Sequence, residues 1–310
     1  AATGRGLRVL GVAEADVERV LDDPAGYRWR WVGFVALPDP LRASVPPAVA
    51  LCRRAGIRVV MITGDFAGTA LHIARQAGIE AGEALSGAEI AALDDAALAE
   101  AVKRVSVFAR VRPEQKLRLV QAYRAAGEVV AMTGDGVNDA PALKAAHIGV
   151  AMGKRGTDVA REAAALVLLE DEFGSIVDKV ALGRRIYENI RNAMRYILAV
   201  HVPIAGMSFL PIVFGRPVFL FPVHIVFLEF IIDPACTLVF EAEGSDAGVM
   251  QRPPRDPREP LFNARMLGVS LLLGTSLLLT VCGGCLWAVA RGFHQDEVRS
   301  IGFASIVLGN

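Results

Sequence analysis

Two carboxylates, Asp135 and Asp139, stand four residues apart in the stretch MTGDGVNDAPALK, residues 132–144. Both are hard oxygen donors, and Mg²⁺ is commonly held by one or two carboxylates with water and phosphate oxygens completing its shell. Gly134 and Gly136 let backbone N–H groups approach an anion. A helix predicted to start at Asn138 adds the partial positive charge of its N-terminus at the same place. The chemistry indicated is the holding of Mg²⁺ and phosphate. A TGDG tetrapeptide alone reads as an ordinary capped turn. Two Asp, one Asn and two Gly in this order are far more specific. A second, weaker signal is Thr63-Gly64-Asp65, where a hydroxyl and a glycine amide suit phosphate oxygens.

These residues need elements to position them. The apolar run 129–132 predicts a buried parallel strand that ends at the motif, and 57–62 predicts a strand that ends at Thr63. A strand over 105–110 leads to a helix begun by 111–116, with Pro113 near its first position. Further strands are expected over 31–37 (buried), 148–152 and 165–169, with helices over 46–55, 67–77 and one segment at 86–103. Strand and helix thus alternate from 31 to 170, which predicts an α/β Rossmannoid domain with a doubly wound parallel sheet. Three phosphate-type turns, these two among them, then fall at strand C-terminal ends, where such sheets bind ligands. Ahead of this, 6–13 reads as a short strand, and 14–30 is polar and irregular with a turn at Asp22-Asp23-Pro24.

The 310 residues hold 33 basic and 33 acidic side chains, so no net charge points to nucleic acid as a partner. The mean hydropathy of +0.41 is too high for a purely water-soluble chain, and the excess lies in the C-terminal part. Apolar runs at 196–214, 217–240 and 266–290 are each long enough to span a hydrocarbon core. Lys179, Arg184, Arg185, Arg191 and Arg195 precede the first run, and Arg252, Arg255, Arg258 and Arg265 lie between the second and third. That bias places both basic segments in the cytoplasm and makes Gly215-Arg216 a short outer turn. Cys282 and Cys285 have CxxC spacing inside an apolar run and read as small residues on a membrane-helix face. Residues 1–5 lack Met and no apolar signal segment follows, so a fragment is expected.

The 132–144 stretch resembles the hinge motif of the P-type ATPases, cation pumps with a haloacid-dehalogenase-like phosphorylation domain. Pro38-Asp39-Pro40-Leu41-Arg42 resembles their DPPR segment, with Leu41 replacing the second Pro. Residues 170–198, EDEFGSIVDKVALGRRIYENIRNAMRYIL, resemble their stalk leading into the fifth membrane helix. The resemblance implies a nucleotide-domain tail at 1–30, a phosphorylation domain at 31–170, a stalk at 171–195, and membrane helices five to seven with the start of eight at 196–310. It implies Thr63, Gly64, Asp65, Lys116, Asn138 and Asp139 as catalytic groups, with Lys116 neutralising the phosphoryl group. Asp39, Arg42, Gly134 and Gly136 would contact the nucleotide or phosphate, and Asp135 and Asp139 would hold Mg²⁺. ATP, a transported cation and the lipid bilayer are the implied partners. A multi-pass protein of a bacterial plasma membrane, with 1–195 cytoplasmic, is expected.

Glu229 and Asp233 lie four apart in the second apolar run, where carboxylates are costly and mark pathways. Pro234 frees a backbone carbonyl that could join them as a ligand. In the comparison with calcium pumps, ligands of their sixth helix fall at Glu229, Ile232 and Asp233, and ligands of their fifth at His201 and Ile204. A two-calcium site is therefore disfavoured. One divalent site and proton transport through Glu229, Asp233 and His201 both stay compatible with this set, as does His201 as a packed helix residue. The pumps' phosphorylated Asp lies in a DKTGT segment, which does not occur here, so the fragment is expected to be inactive alone. The rival readings are a membrane-tethered phosphatase of the same superfamily and a non-catalytic membrane scaffold derived from a pump.

Overall fold

The computed structural model describes residues 7–17, 23–38, 40–242, 248–256 and 258–309. Asp22, Asp39 and Asn310 lie outside the described residues, as does the side chain of Asp233. The chain divides into two units, 1–179 with 250–253, and 180–249 with 254–310.

In the first unit, β1 (Leu7–Glu14) pairs antiparallel with β2 (Arg30–Pro38) as a two-stranded ribbon. This corrects the expectation that 31–37 is a buried strand of the parallel sheet. A lone ribbon cannot cover both of its faces, and Trp31, Val32 and Phe34 are exposed. Helices α1 (Val45–Arg54) and α2 (Ala67–Ala77) flank β3 (Met61–Ile62). The helical segment expected at 86–103 is two helices after β4 (Ala84–Ser86): α3 (Gly87–Ala92) and α4 (Asp95–Arg104). Two caps divide it. Ser86 and Glu89 form a reciprocal capping box, and Asp94 accepts from the Ala97 N–H at 2.7 Å. Then follow β5 (Val107–Ala109), α5 (Pro113–Ala125), β6 (Ala131–Gly134), α6 (Ala140–Ala145), β7 (Ile148–Met152), α7 (Asp158–Ala163) and β8 (Leu166–Leu168).

All pairings among β3–β8 are parallel, in two three-stranded sheets of order β3-β5-β4 and β6-β7-β8. The alternation is thus the expected one, with the hydrogen bonding divided between two sheets. Ile62 and Val130 pack against both buried clusters, one around Phe108 and Leu119 and one around Met132 and Leu143. The two sheets therefore share a continuous apolar core.

In the second unit the long helix α8 (Phe173–Val213), whose first turns belong to the first unit, joins the expected stalk and first apolar run without a break. It is followed by α9 (Pro222–Ala242), α10 (Ala264–Ala290) and α11 (Gln295–Gly309). Among the described residues, α8 and α10 are long and apolar enough to cross a membrane. They approach closely through small residues, as apolar helices do when dispersion and hydrogen bonds hold them. Ser270 donates to the Arg195 carbonyl at 3.0 Å, and a Cβ on Gly274 would stand 2.6 Å from that of Val202. Cys285 is buried in the same core, and Cys282 Sγ lies 3.5 Å from Met207 Sδ.

Candidate functional site

Three strand ends supply the first site. Asp139 follows β6 in a single 3₁₀ turn (Val137–Asp139), not yet in the helix, which begins at Ala140. Its side chain is 7% exposed and folds back over the turn. Oδ2 accepts the N–H groups of Asp135 (3.3 Å) and Gly136 (3.2 Å), and Oδ1 accepts Lys116 Nζ at 2.6 Å. Gly134 is required by this fold: a Cβ there would meet Asp139 Cβ at 2.6 Å. Lys116 reaches the pair from the first turn of α5, which opens on Pro113 and on Gln115 accepting the Arg112 N–H at 2.9 Å.

Asp139 is therefore engaged by one ammonium and two amides, three of the roughly four acceptor sites of a carboxylate. Among the described residues the Asp135 carboxylate is exposed and takes no hydrogen bond or ion pair. Its backbone carbonyl accepts the Thr157 N–H at 2.9 Å, which fixes the residue while leaving the carboxylate available. The two acids thus differ in setting: the Asp135 carboxylate is exposed, whereas Asp139 shapes the turn and holds Lys116. No group of three or more His, Cys, Asp or Glu able to hold a metal occurs among the described residues. A single carboxylate beside phosphate oxygens and water nonetheless fits the way Mg²⁺ is commonly bound. Asn138 is exposed beside Asp135.

Thr63 and Gly64 follow β3. The Thr63 N–H donates to the Phe108 carbonyl at 2.9 Å, and its carbonyl accepts the Val111 N–H at 3.1 Å. The triplet is thereby tied to the end of β5 and the approach to α5. Thr63 Oγ1 donates to Asp65 Oδ2 at 3.0 Å and accepts the Asp65 N–H at 3.1 Å. Gly64 has nothing within 4 Å of where a Cβ would stand, so no contact within the chain requires glycine there. An anion pressed against the backbone would require it.

Arg42, expected on the nucleotide side, also ties down the entry to α8. Its Nη1 donates to the Asp171 carbonyl at 2.6 Å. Asp171 has φ +53° and is 5% exposed. Burial alone would raise its carboxyl, but donation from the Lys154 and Arg155 N–H groups, with the Arg155 guanidinium nearby, holds it below the usual range. Arg42 and Asp171 thus clamp the stretch that enters α8.

Three contributors had no distinguishing signal in the sequence. Arg110 has a left-handed φ of +53° and donates its N–H to the Asp65 carbonyl at 3.0 Å. Thr157 holds the Asp135 carbonyl. Arg161 donates to the Gly153 and Gly156 carbonyls at 2.9 and 2.7 Å, fixing the loop that carries Thr157.

The second unit brings two more of the expected residues together. His201 Nε2 on α8 lies 3.5 Å from Glu229 Oε1 on α9. His201 Nδ1 bonds the Ile197 carbonyl at 2.8 Å; a carbonyl only accepts, so Nδ1 carries the proton. Asp233 stands one turn beyond Glu229 in α9.

Comparison with known proteins agrees with this division. Models of haloacid dehalogenase-like hydrolases match residues 6–147 and 116–180, and a model of the cation transporting ATPase C-terminus matches 217–310. The "Probable cation-transporting ATPase F" of Mycobacterium tuberculosis (strain ATCC 25618 / H37Rv) is 42% identical over 310 residues, covering 96% of this chain and 34% of its own length. The "Calcium-transporting ATPase" of Bacillus subtilis (strain 168) is 43% identical over 289 residues, 89% of this chain and 32% of its own. The "Endoplasmic reticulum calcium ATPase srcA" of Aspergillus fumigatus is 40% identical over 304 residues, 91% and 31%. The chain spans about a third of the length of these relatives. With hydrolase-like strand ends in one unit, apolar helices in the other, and relatives matching across both, the chain belongs to the P-type cation-transporting ATPases.

Proposed function

We propose that this chain serves an ATP-driven cation pump that cycles through an aspartyl phosphate, the phosphorylated Asp being supplied by a DKTGT segment outside these residues. The observation that carries the reading is the division of labour at the end of β6, with Asp139 locked to Lys116 and Asp135 left free. Phosphoryl transfer depends on positioning and charge neutralisation, not on covalent chemistry by the surrounding protein. Thr63 and the Gly64 N–H would orient phosphoryl oxygens. Lys116, held by Asp139, would place a positive charge beside them, and Asn138 an amide. Asp135 would hold Mg²⁺, which when bound neutralises charge on the phosphoryl oxygens. Gly136 keeps the backbone close to the anion. Asp39, outside the described residues, remains the expected nucleotide-side contact. Arg42, whose Nη1 donates to the Asp171 carbonyl, would be its companion on the nucleotide side.

In this reading α8–α11 are part of a multi-pass bundle in a plasma membrane, residues 1–195 are cytoplasmic, and the cation binds at Glu229, Asp233 and His201. The 310 residues alone form no phosphoenzyme, because the acceptor is not among them. The test is acid-stable phosphoenzyme formation from ATP by the full-length gene product in membranes, with cations varied. Glu229→Ala/Asp233→Ala should abolish dependence on the activating cation. A phosphoenzyme that forms regardless of ions, identically in parent and double variant, would remove the transport assignment.

A further inference from the structure

The pair on α8 and α9 carries more than the presence of a cation site. Resting on the pump reading, we infer that this site selects a borderline divalent transition ion of the Zn²⁺ or Co²⁺ kind over Ca²⁺, with His201 as the residue that sets the choice. His201 Nδ1 is committed as a donor to the Ile197 carbonyl at 2.8 Å. Nδ1 is thereby occupied, and Nε2 is the ring nitrogen that faces Glu229. A metal-binding imidazole is usually oriented this way, with its other N–H given to a carbonyl or carboxylate. Two donors each about 2.0–2.2 Å from a tetrahedral ion stand about 3.4 Å apart. Nε2 and Glu229 Oε1 are 3.5 Å apart, so an ion could enter between them with little movement. That spacing is too long for a good direct hydrogen bond between the two.

The neighbouring positions restrict the shell. Ile204 and Ile232, one turn away on the same two helices, are each 5% exposed and offer no oxygen. Ca²⁺ takes six to eight oxygen ligands, and among the described residues the side chains at 204 and 232 contribute none. A low-coordinate ion that accepts nitrogen needs fewer, and imidazole suits the later divalent metals. Pro203 and Pro234 lie inside α8 and α9, and each removes one helical hydrogen bond, so the carbonyls of Ala199 and Phe230 are available as further donors. Both side chains of the pair are partly open, His201 at 49% and Glu229 at 34%, so the ion has access.

The test uses the full-length gene product, purified in detergent, with Co²⁺ as the probe. Visible absorption bands of low-coordinate Co²⁺ should appear at one equivalent in the parent. His201→Asn, which exchanges the ring nitrogen for an amide oxygen, and Glu229→Gln should each weaken Co²⁺ binding by about 10–100-fold or more. His224→Asn, a histidine elsewhere on α9, should leave the bands unchanged. Phosphoenzyme formation measured in parallel should respond to Zn²⁺ or Co²⁺ at least about tenfold below Ca²⁺ in the parent, a preference that His201→Asn reverses. Bands that survive both substitutions, or sulfur-to-cobalt charge transfer from Cys282 and Cys285, would overturn the inference. So would a phosphoenzyme activated by Ca²⁺, or by pH alone, with no Co²⁺ bands, although the pump reading would stand. Bands that depend on His201 and Glu229, with a phosphoenzyme indifferent to every cation, would uphold the site and defeat the pump reading instead.

Discussion

Replacing Asp139 by Asn keeps the shape of the side chain and removes its charge, so it isolates what the Lys116 ion pair contributes. At 2.6 Å, the gross attraction is about 6 kcal/mol for an effective dielectric of 20. Desolvation consumes much of it, and removing one partner of a buried pair costs about 3–5 kcal/mol net. Lys116 is 22% exposed and Asp139 7%. Water can therefore take over part of the ammonium's solvation, which lowers the expected loss to about 2–3 kcal/mol. The loss should concentrate in the 134–139 turn, whose Asp135 and Gly136 N–H groups bond the same carboxylate. Hydrogen–deuterium exchange on the peptide covering the turn reads it directly, and the Asp135 and Gly136 amides should exchange roughly 30–150-fold faster. Lys116→Met should give a similar increase, and the double variant should fall short of the sum by about 2 kcal/mol. Exchange within twofold of the parent in both single variants, or effects that add to within about 0.5 kcal/mol, would refute the coupling.

Two glycines should separate structure from chemistry. Gly134→Ala forces a Cβ against Asp139 and should destabilise the first unit by about 1–3 kcal/mol in thermal unfolding. Gly64→Ala meets nothing and should leave unfolding unchanged while lowering the phosphorylation rate of the full-length protein; a stability loss at Gly64 would remove the anion argument. Asp171 is held below its unfolded value of about 3.9, so its contribution to stability is present above that pH and lost as pH falls through the lower folded value. The pH dependence of urea unfolding between neutral and strongly acid pH should therefore be flatter at the acid end in Asp171→Asn, and an unchanged slope would contradict stabilisation of this carboxylate by the Lys154 and Arg155 N–H groups.

The parallel strands and the phosphate turns were legible because strand C-terminal ends in such sheets are punctuated by Gly, Thr and Asp, and MTGDGVNDAPALK carries that punctuation densely. The ribbon β1–β2 was not, because an apolar run such as WVGFVAL reads alike whether its partner is buried and parallel or exposed and antiparallel. The break at Leu93-Asp94 is carried by a capping side chain, which composition averaged over 86–103 hides. Spacing alone made Asp135 and Asp139 equivalent carboxylates. The approach of Lys116, from a helix 23 residues earlier, and the fold of the turn that points Asp139 back onto its own N–H groups distinguish them. The bonds that Arg110 and Thr157 make to residues 65 and 135 run through backbone N–H groups, so their side chains gave no sign of them. His201 and Glu229 were each visible, but their distance depends on how α8 and α9 pack.

In the proposed phosphoryl-transfer site Asp135, and not Asp139, would meet the Mg²⁺ ion. The most direct measurement is the Mg²⁺ dependence of phosphoenzyme formation from ATP in the full-length protein, comparing the parent with Asp135→Asn and Asp139→Asn. Asp135→Asn should raise the Mg²⁺ concentration for half-maximal phosphorylation by about tenfold or more. Asp139→Asn should lower the maximal rate with little change in that concentration. An unchanged Mg²⁺ requirement in Asp135→Asn, or a shift that follows Asp139→Asn instead, would contradict this assignment.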